Sequence, residues 1–120
     1  MLNTEIVYPP YDNTIERVLW ADGAAPSLST VTLMELDLGG GVTLDSATNP
    51  EVFDWSQTVT AAQAALPSAR ALGVQPGDPK LVLKLGQAGL TAGTYHASLI
   101  VYDPGNPHGI LWDRMRIVVK

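Results

Sequence analysis

The sequence contains no cysteine among its 120 residues. Disulfide bonds, thiolate catalysis and zinc sites built on cysteine are therefore excluded. Charged residues are also scarce, and the 7 Lys and Arg are outnumbered by 12 Asp and Glu, which gives a net charge of -5. An acidic chain repels nucleic-acid phosphates and anionic membranes. No apolar run approaches the ~20 residues that a membrane-spanning helix needs. Neither a nucleic acid nor a membrane is therefore predicted as a partner.

The common motifs of catalysis and ligand binding are missing as well. His96 and His108 are the only histidines, and they lie in different segments without the spacing of a zinc site. No serine lies in the G-x-S-x-G motif of hydrolases, and the aspartates form no D-x-D-x-D-G calcium loop. The segment DLGGGV lacks the lysine and the helix of a phosphate-binding loop. The sequence therefore predicts no catalytic residue, metal ligand or cofactor, and we do not expect an enzyme.

What the chain does contain is a series of short segments with the alternation and β-branched content of strands. These segments are residues 14–20, 30–38, 42–45, 51–55, 80–85, 95–102 and 110–120. Turn-forming residues separate them, and the several helices that a parallel α/β fold requires are absent. The residues predicted to face the core in the last two segments are Tyr95, Ala97, Leu99, Val101, Met115, Ile117 and Val119. This pattern is typical of an all-β, immunoglobulin-like sandwich of about seven antiparallel strands.

Two segments depart from the strand pattern. Residues 58–79 include the Ala-rich stretch TVTAAQAALPSARAL, interrupted by Pro67, which predicts a short helical or irregular insertion. Residues 1–11 carry adjacent prolines and are predicted to form an extended N-terminal arm. We therefore expect an arm over residues 1–11 and a single β-sandwich domain over residues 12–120.

The stretch LTAGTYHASLIVYD contains a tyrosine at the beginning of a strictly alternating run. In immunoglobulin-like sandwiches, a tyrosine near this position turns back and donates a hydrogen bond to upstream backbone. Gly93 allows the necessary turn, and Tyr95 occupies the corner position. Ala97 stands where antibody domains have a cysteine. For the large buried aromatic of such cores, Trp55 is one candidate, and Trp20 and Trp112 compete with it.

Two groups of aromatic and proline residues are candidates for partner binding. They are Tyr8, Pro9, Pro10 and Tyr11 in the arm, and Tyr102, His108 and Trp112 around the turn in YDPGNPHGILW. The arm suits contact with a neighbouring subunit, but it equally suits covering an edge of its own sheet. The second group suits a binding patch at a loop-rich end of the sandwich, although Trp112 also suits the core.

The segments YDNTIERVLWADG, LSTVTLMELDL and LVLKLGQAGLTAGTYHASLIVYDPGNPHGILWDRMRIVVK resemble small immunoglobulin-like virion proteins of tailed bacteriophages and prophages. The resemblance covers residues 12–120 except the Ala-rich insertion. It implies a non-enzymatic role in capsid decoration, a head fibre, or head and tail assembly. It further implies virion partners such as capsid or tail subunits, many copies or a homo-oligomer, and assembly in the host bacterial cytoplasm.

Two functional hypotheses follow. The first is a virion structural protein whose residues 8–11 contact other subunits. The second is a carbohydrate-binding or adhesin module that uses Tyr102, His108 and Trp112.

Overall fold

The structure, a computed structural model, describes residues 3–18 and 30–120. Strands make up most of the regular structure of these residues, which form an all-β fold with two short helices. The strands are β1 Asn3–Val7, β2 Thr14–Val18, β3 Leu33–Gly39, β4 Val42–Asp45, β5 Phe53–Asp54, β6 Lys80–Lys84, β7 Gly93–Asp103 and β8 Asn106–Val119. The helices, α1 Ala61–Ala64 and α2 Pro67–Leu72, lie between β5 and β6.

The strands form two sheets. One has five strands in the order β1-β8-β7-β3-β4, and the other has three in the order β2-β6-β5. All neighbouring strands are antiparallel except β1 and β8, which run parallel. The five-stranded sheet is therefore mixed, whereas the sequence predicts antiparallel strands throughout.

Each of the seven predicted strand segments contains a strand, and β1 is an additional one. The segment predicted over residues 14–20 is a strand over Thr14–Val18, and Trp20 lies outside the described residues. The predicted alternation in β7 and β8 is confirmed for the six apolar residues, which are buried, while Tyr95 is half-buried against them.

One hydrophobic core lies between the two sheets and takes side chains from both. Its buried residues are Val7, Ile15, Met34, Leu36, Leu38, Leu44, Val52, Phe53, Leu81, Leu83, Leu85, Ala97, Leu99, Val101, Met115, Ile117 and Val119. Trp55 and Trp112 pack against this core while partly exposed, and Phe53 is the buried aromatic side chain among the described residues. Within this part of the chain, the aromatic bulk of the core is therefore shared by Phe53, Trp55 and Trp112.

The insertion forms two short helices, which is the helical one of the two alternatives that its Ala-rich composition predicts. Thr60 caps α1: its hydroxyl accepts a hydrogen bond from the Gln63 backbone N–H at 3.1 Å, and the Gln63 side chain accepts one from the Thr60 backbone at 3.0 Å. Pro67 begins α2, where the missing N–H costs nothing. The buried residues Val59, Ala64 and Val74 form a small second cluster. The insertion is thus folded on the domain.

Candidate functional site: exposed aromatic surfaces

Residues 8–11 form a tight turn directly after β1. The Tyr11 backbone N–H donates a hydrogen bond to the Tyr8 carbonyl at 2.9 Å, and the Tyr8 N–H donates to the Asn13 side chain at 2.6 Å. The peptide bond between Pro9 and Pro10 is cis. We call residues 8–11 the tyrosine turn.

This geometry differs in part from the extended arm that the sequence predicts for residues 1–11. Residues Asn3–Val7 pair with β8 as an edge strand, and Val7 is fully buried in the core. The chain then reverses in the tyrosine turn. Of the two alternatives that the sequence left open, the structure therefore has Asn3–Val7 on an edge of their own sheet, while residues 8–11 stay on the surface.

The tyrosine turn is held against the loop that follows β6. The Gln87 side-chain amide donates a hydrogen bond to the Pro10 carbonyl at 2.7 Å. Gly86 is buried directly beneath Tyr11, and a side chain at this position would collide with the Tyr11 backbone. Two backbones therefore approach each other as only glycine permits, which fixes the turn to the domain.

The side chains of the tyrosine turn point to solvent. Tyr8 is 50% exposed and Tyr11 is 69% exposed, and both prolines between them are exposed. Ile6, on the neighbouring strand, is 45% exposed. The result is a fixed, largely apolar projection on the surface.

The second predicted group lies on the β7–β8 hairpin, and the structure does not place its members on one surface. The ring of Tyr102 lies against Gly109, and its hydroxyl donates a long hydrogen bond of 3.5 Å to the Glu35 carboxylate. Burial, and then the nearby Glu35 carboxylate, raise the pKa of the Tyr102 phenol. Tyr102 is therefore half-buried beside Gly109 and Glu35, on the face of the sheet away from the core.

The other two members of this group have different surroundings. His108 is exposed near the turn of the hairpin. Trp112 lies at a register irregularity of β8 and packs against the core, and its indole nitrogen is buried without a hydrogen-bond partner. Trp112 thus belongs to the packing between the sheets.

Tyr95 makes the upstream contact expected of a tyrosine corner. Its hydroxyl donates a hydrogen bond to the Thr91 carbonyl at 2.7 Å and lies 3.0 Å from the Thr91 hydroxyl. Gly93, between them, has a φ of 153°, which residues with side chains rarely adopt. The bond ties the beginning of β7 to the loop before it.

The sequence-based interpretation missed a polar cluster beneath the insertion, which we call the Lys80 cluster: Glu16, Gln63 and Lys80. The Lys80 ammonium is 2.7 Å from Glu16 Oε1 and 3.0 Å from Gln63 Oε1, and Gln63 Nε2 donates to Glu16 Oε2 at 2.9 Å. Lys80 is only 4% exposed. The hydrogen bond from Lys80 lowers the pKa of the Glu16 carboxyl, and the positive charge of Lys80 also lowers it.

Local sequence carried no signal for this cluster, because its members come from β2, α1 and β6. Their meeting depends on the antiparallel pairing of β2 with β6 and on the insertion folding over that pair. A cleft of about 270 Å³ lies beside them, lined by residues that include Val59, Leu66 and Val74. Since Lys80 is already paired, the cluster joins the insertion to the sheet.

Within residues 3–18 and 30–120, no group of three or more His, Asp or Glu side chains is arranged to hold a metal ion. No helix in this part of the chain is long and apolar enough to cross a membrane. Compared with known proteins, the chain matches no family model, no curated protein sequence and no solved structure.

Proposed function

We propose that this chain is a non-enzymatic structural subunit of a tailed-bacteriophage virion that binds capsid or tail proteins. The observation that carries this proposal is the tyrosine turn, a fixed projection whose aromatic side chains are exposed. The resemblance of residues 12–120, apart from the Ala-rich insertion, to small virion proteins supports the same role. In this role the protein is present in many copies and is assembled in the bacterial cytoplasm.

We also propose that the two sheets form an immunoglobulin-like sandwich. Two features support this architecture. Both sheets contribute to one core, and the hydrogen bond from Tyr95 to Thr91 matches the tyrosine corner of such domains.

The tyrosine turn suits protein binding for an energetic reason. Tyrosine offers a large amphipathic contact area with few rotatable bonds, so little entropy is lost when a partner orders it. Here the backbone is already fixed by Gln87, Asn13 and the close approach to Gly86. Preorganisation of this kind strengthens binding because it lowers the ordering cost.

The geometry favours this role over the carbohydrate-binding module. A glycan site needs its aromatic side chains exposed on one surface, yet Trp112 packs against the core and Tyr102 is half-buried beside Glu35. Tyr8 and Tyr11 of the tyrosine turn, in contrast, are exposed and can contact a protein partner.

The test is the double substitution Tyr8→Ala/Tyr11→Ala, assayed by binding of the full chain to purified phage particles or to isolated capsid and tail proteins. Deletion of residues 1–11 is unsuitable, because it would also remove Val7 from the core and β1 from the sheet. We expect binding to fall at least about tenfold while the unfolding midpoint changes little.

The matched control is Leu66→Ala, which removes a 55% exposed apolar side chain from the insertion. This variant should bind like the original chain. Equal binding by the original chain and the double variant would sink the role of the tyrosine turn. No binding of the original chain to any particle or virion protein would sink the virion role itself.

A further inference from the structure

The face of the five-stranded sheet that points away from the core carries opposite charges on different strands. Because Met34, Leu36 and Leu38 of β3 point into the core, Glu35 and Asp37 point outward. By the same alternation, Arg114 and Arg116 of β8 point outward beside the buried Met115 and Ile117, and both arginines are exposed. We call this surface the outer face; it is acidic on β3 and basic on β8.

Strand β7 lies between these two strands and sets their register. Ser98 of β7 pairs with Asp37 on one side and with Arg114 on the other. The three residues therefore lie in one row across the sheet, with the acid and the base on opposite sides of a small, half-buried serine. Adjacent strands are ~4.8 Å apart, so each charge is about one strand spacing from β7.

A row of this kind is complementary to itself. Consider a second copy rotated by 180° about an axis that runs along β7 and passes above Ser98. The rotation places β8 of one copy over β3 of the other and leaves positions along the strands unchanged. Each Arg114 then lies opposite Asp37 of the other copy, so the contact is repeated twice, as in two-fold symmetric interfaces generally.

The twist of packed sheets does not remove this match. Facing sheets lie ~10 Å apart and are rotated by about 30° relative to each other. The two-fold axis then lies about 15° from the direction of β7, and residues one strand spacing from Ser98 are displaced by about half a strand spacing, which a long arginine side chain accommodates. Ile100, which lies two residues beyond Ser98 on β7, supplies an apolar contact on the axis.

We propose that the outer face binds the outer face of a second copy of this chain about a two-fold axis along β7, with Arg114 of each copy paired with Asp37 of the other. This inference goes beyond the virion role and does not depend on it. A chain that dimerises in this way but binds no virion protein would support the present proposal and oppose the earlier one.

Sedimentation velocity of the full chain over a range of concentrations provides the test. We expect a dimer, and we expect Arg114→Asp and Asp37→Arg each to raise its dissociation constant at least about tenfold, because each variant brings like charges together. Mixing the two variants should restore a dimer, since the two reversed side chains then face each other with opposite charges, while the native Arg114 faces the native Asp37. Circular dichroism checks that both variants are folded.

The control for net charge is Arg116→Asp. Arg116 lies on the same face, where its register partner on β7 is His96. The rotation places no carboxylate of β3 opposite it. This variant should weaken the dimer less than Arg114→Asp.

Because the chain has no cysteine, Ser98→Cys introduces a single thiol on the proposed axis. A short bis-maleimide should cross-link this variant into a dimer, whereas Ser68→Cys in the insertion should remain uncross-linked. A strictly monomeric original chain, a dimer unaffected by both charge reversals, or a mixture of the two variants that stays monomeric would each overturn the proposal.

Discussion

Among the described residues, the core between the sheets contains seventeen buried residues, all apolar, whereas the insertion covers its sheet with only Val59, Ala64 and Val74. The insertion compensates with polar contacts, because the Lys80 cluster links it to β2 and β6. The comparison indicates that the large apolar core holds the two sheets together. The small apolar cluster of the insertion is supplemented by the hydrogen bonds and the ion pair of the Lys80 cluster. Four predictions separate these two modes of stabilisation.

The largest expected effect comes from one substitution made in both regions. Val101 lies in the main core and Val59 in the small cluster, and both are nearly fully buried. Val101→Ala should lower the free energy of unfolding by about 2–3 kcal/mol, because it removes two buried methyl groups and leaves a cavity that a dense core cannot close. Val59→Ala should cost only about 1 kcal/mol, because a small cluster relaxes more easily. Urea denaturation at a fixed protein concentration measures both, and equal costs would contradict the comparison.

The second effect concerns the Lys80 cluster. Glu16→Leu leaves the buried Lys80 ammonium with Gln63 as its one remaining partner in the cluster, so we expect a loss of about 1–2 kcal/mol, limited by the partial exposure of Glu16. The double variant Glu16→Leu/Lys80→Leu should recover part of this loss, because no unpaired charge is then buried. A double-mutant cycle by urea denaturation measures the coupling. Additive losses would show that the cluster does not act as a unit.

The third effect tests a polar contact in the five-stranded sheet. Tyr95→Phe removes the hydroxyl that donates to the Thr91 carbonyl, and we expect a loss of about 1 kcal/mol in the free energy of unfolding. Tyr11→Phe is the control, because Tyr11 is largely exposed and its hydroxyl loses only contacts with solvent. If the two variants are equally stable, the corner bond adds nothing to the packing of β7.

The smallest expected effect is a change in how the stability of the protein depends on pH. It comes from Asp54 in the three-stranded sheet. Hydrogen bonds from the Ser56 hydroxyl, the Gln57 side chain and the Ser56 backbone lower the pKa of Asp54 from 3.8 to about 2. A pKa that is lower in the folded state means that the unfolded chain binds more protons, so stability falls as the pH drops from about 4 to about 2. Asp54→Asn should flatten this part of the curve of melting temperature against pH. An unchanged slope would contradict the assignment to Asp54.

Alternation along the chain was enough to predict segments that contain seven of the eight described strands, and the core residues of β7 and β8. The inward positions of Ala97, Leu99 and Val101 follow from the period-two geometry of any strand with one buried face. The corner formed by Tyr95 and the short helices around Pro67 also follow from local signals, because turn geometry and helix capping depend on nearby residues.

Only the tertiary structure decided which strands are neighbours and what lies beneath the insertion. The parallel pairing of β1 with β8, the burial of Lys80 and the row of Asp37, Ser98 and Arg114 each join residues far apart in sequence. The tyrosine turn has the same origin: its proline and tyrosine residues predict a stiff segment, but its position depends on Gly86 and Gln87, more than seventy residues later in the chain. Local periodicity records which face of a strand is buried, whereas pairing between distant strands is selected by the packing of the whole domain.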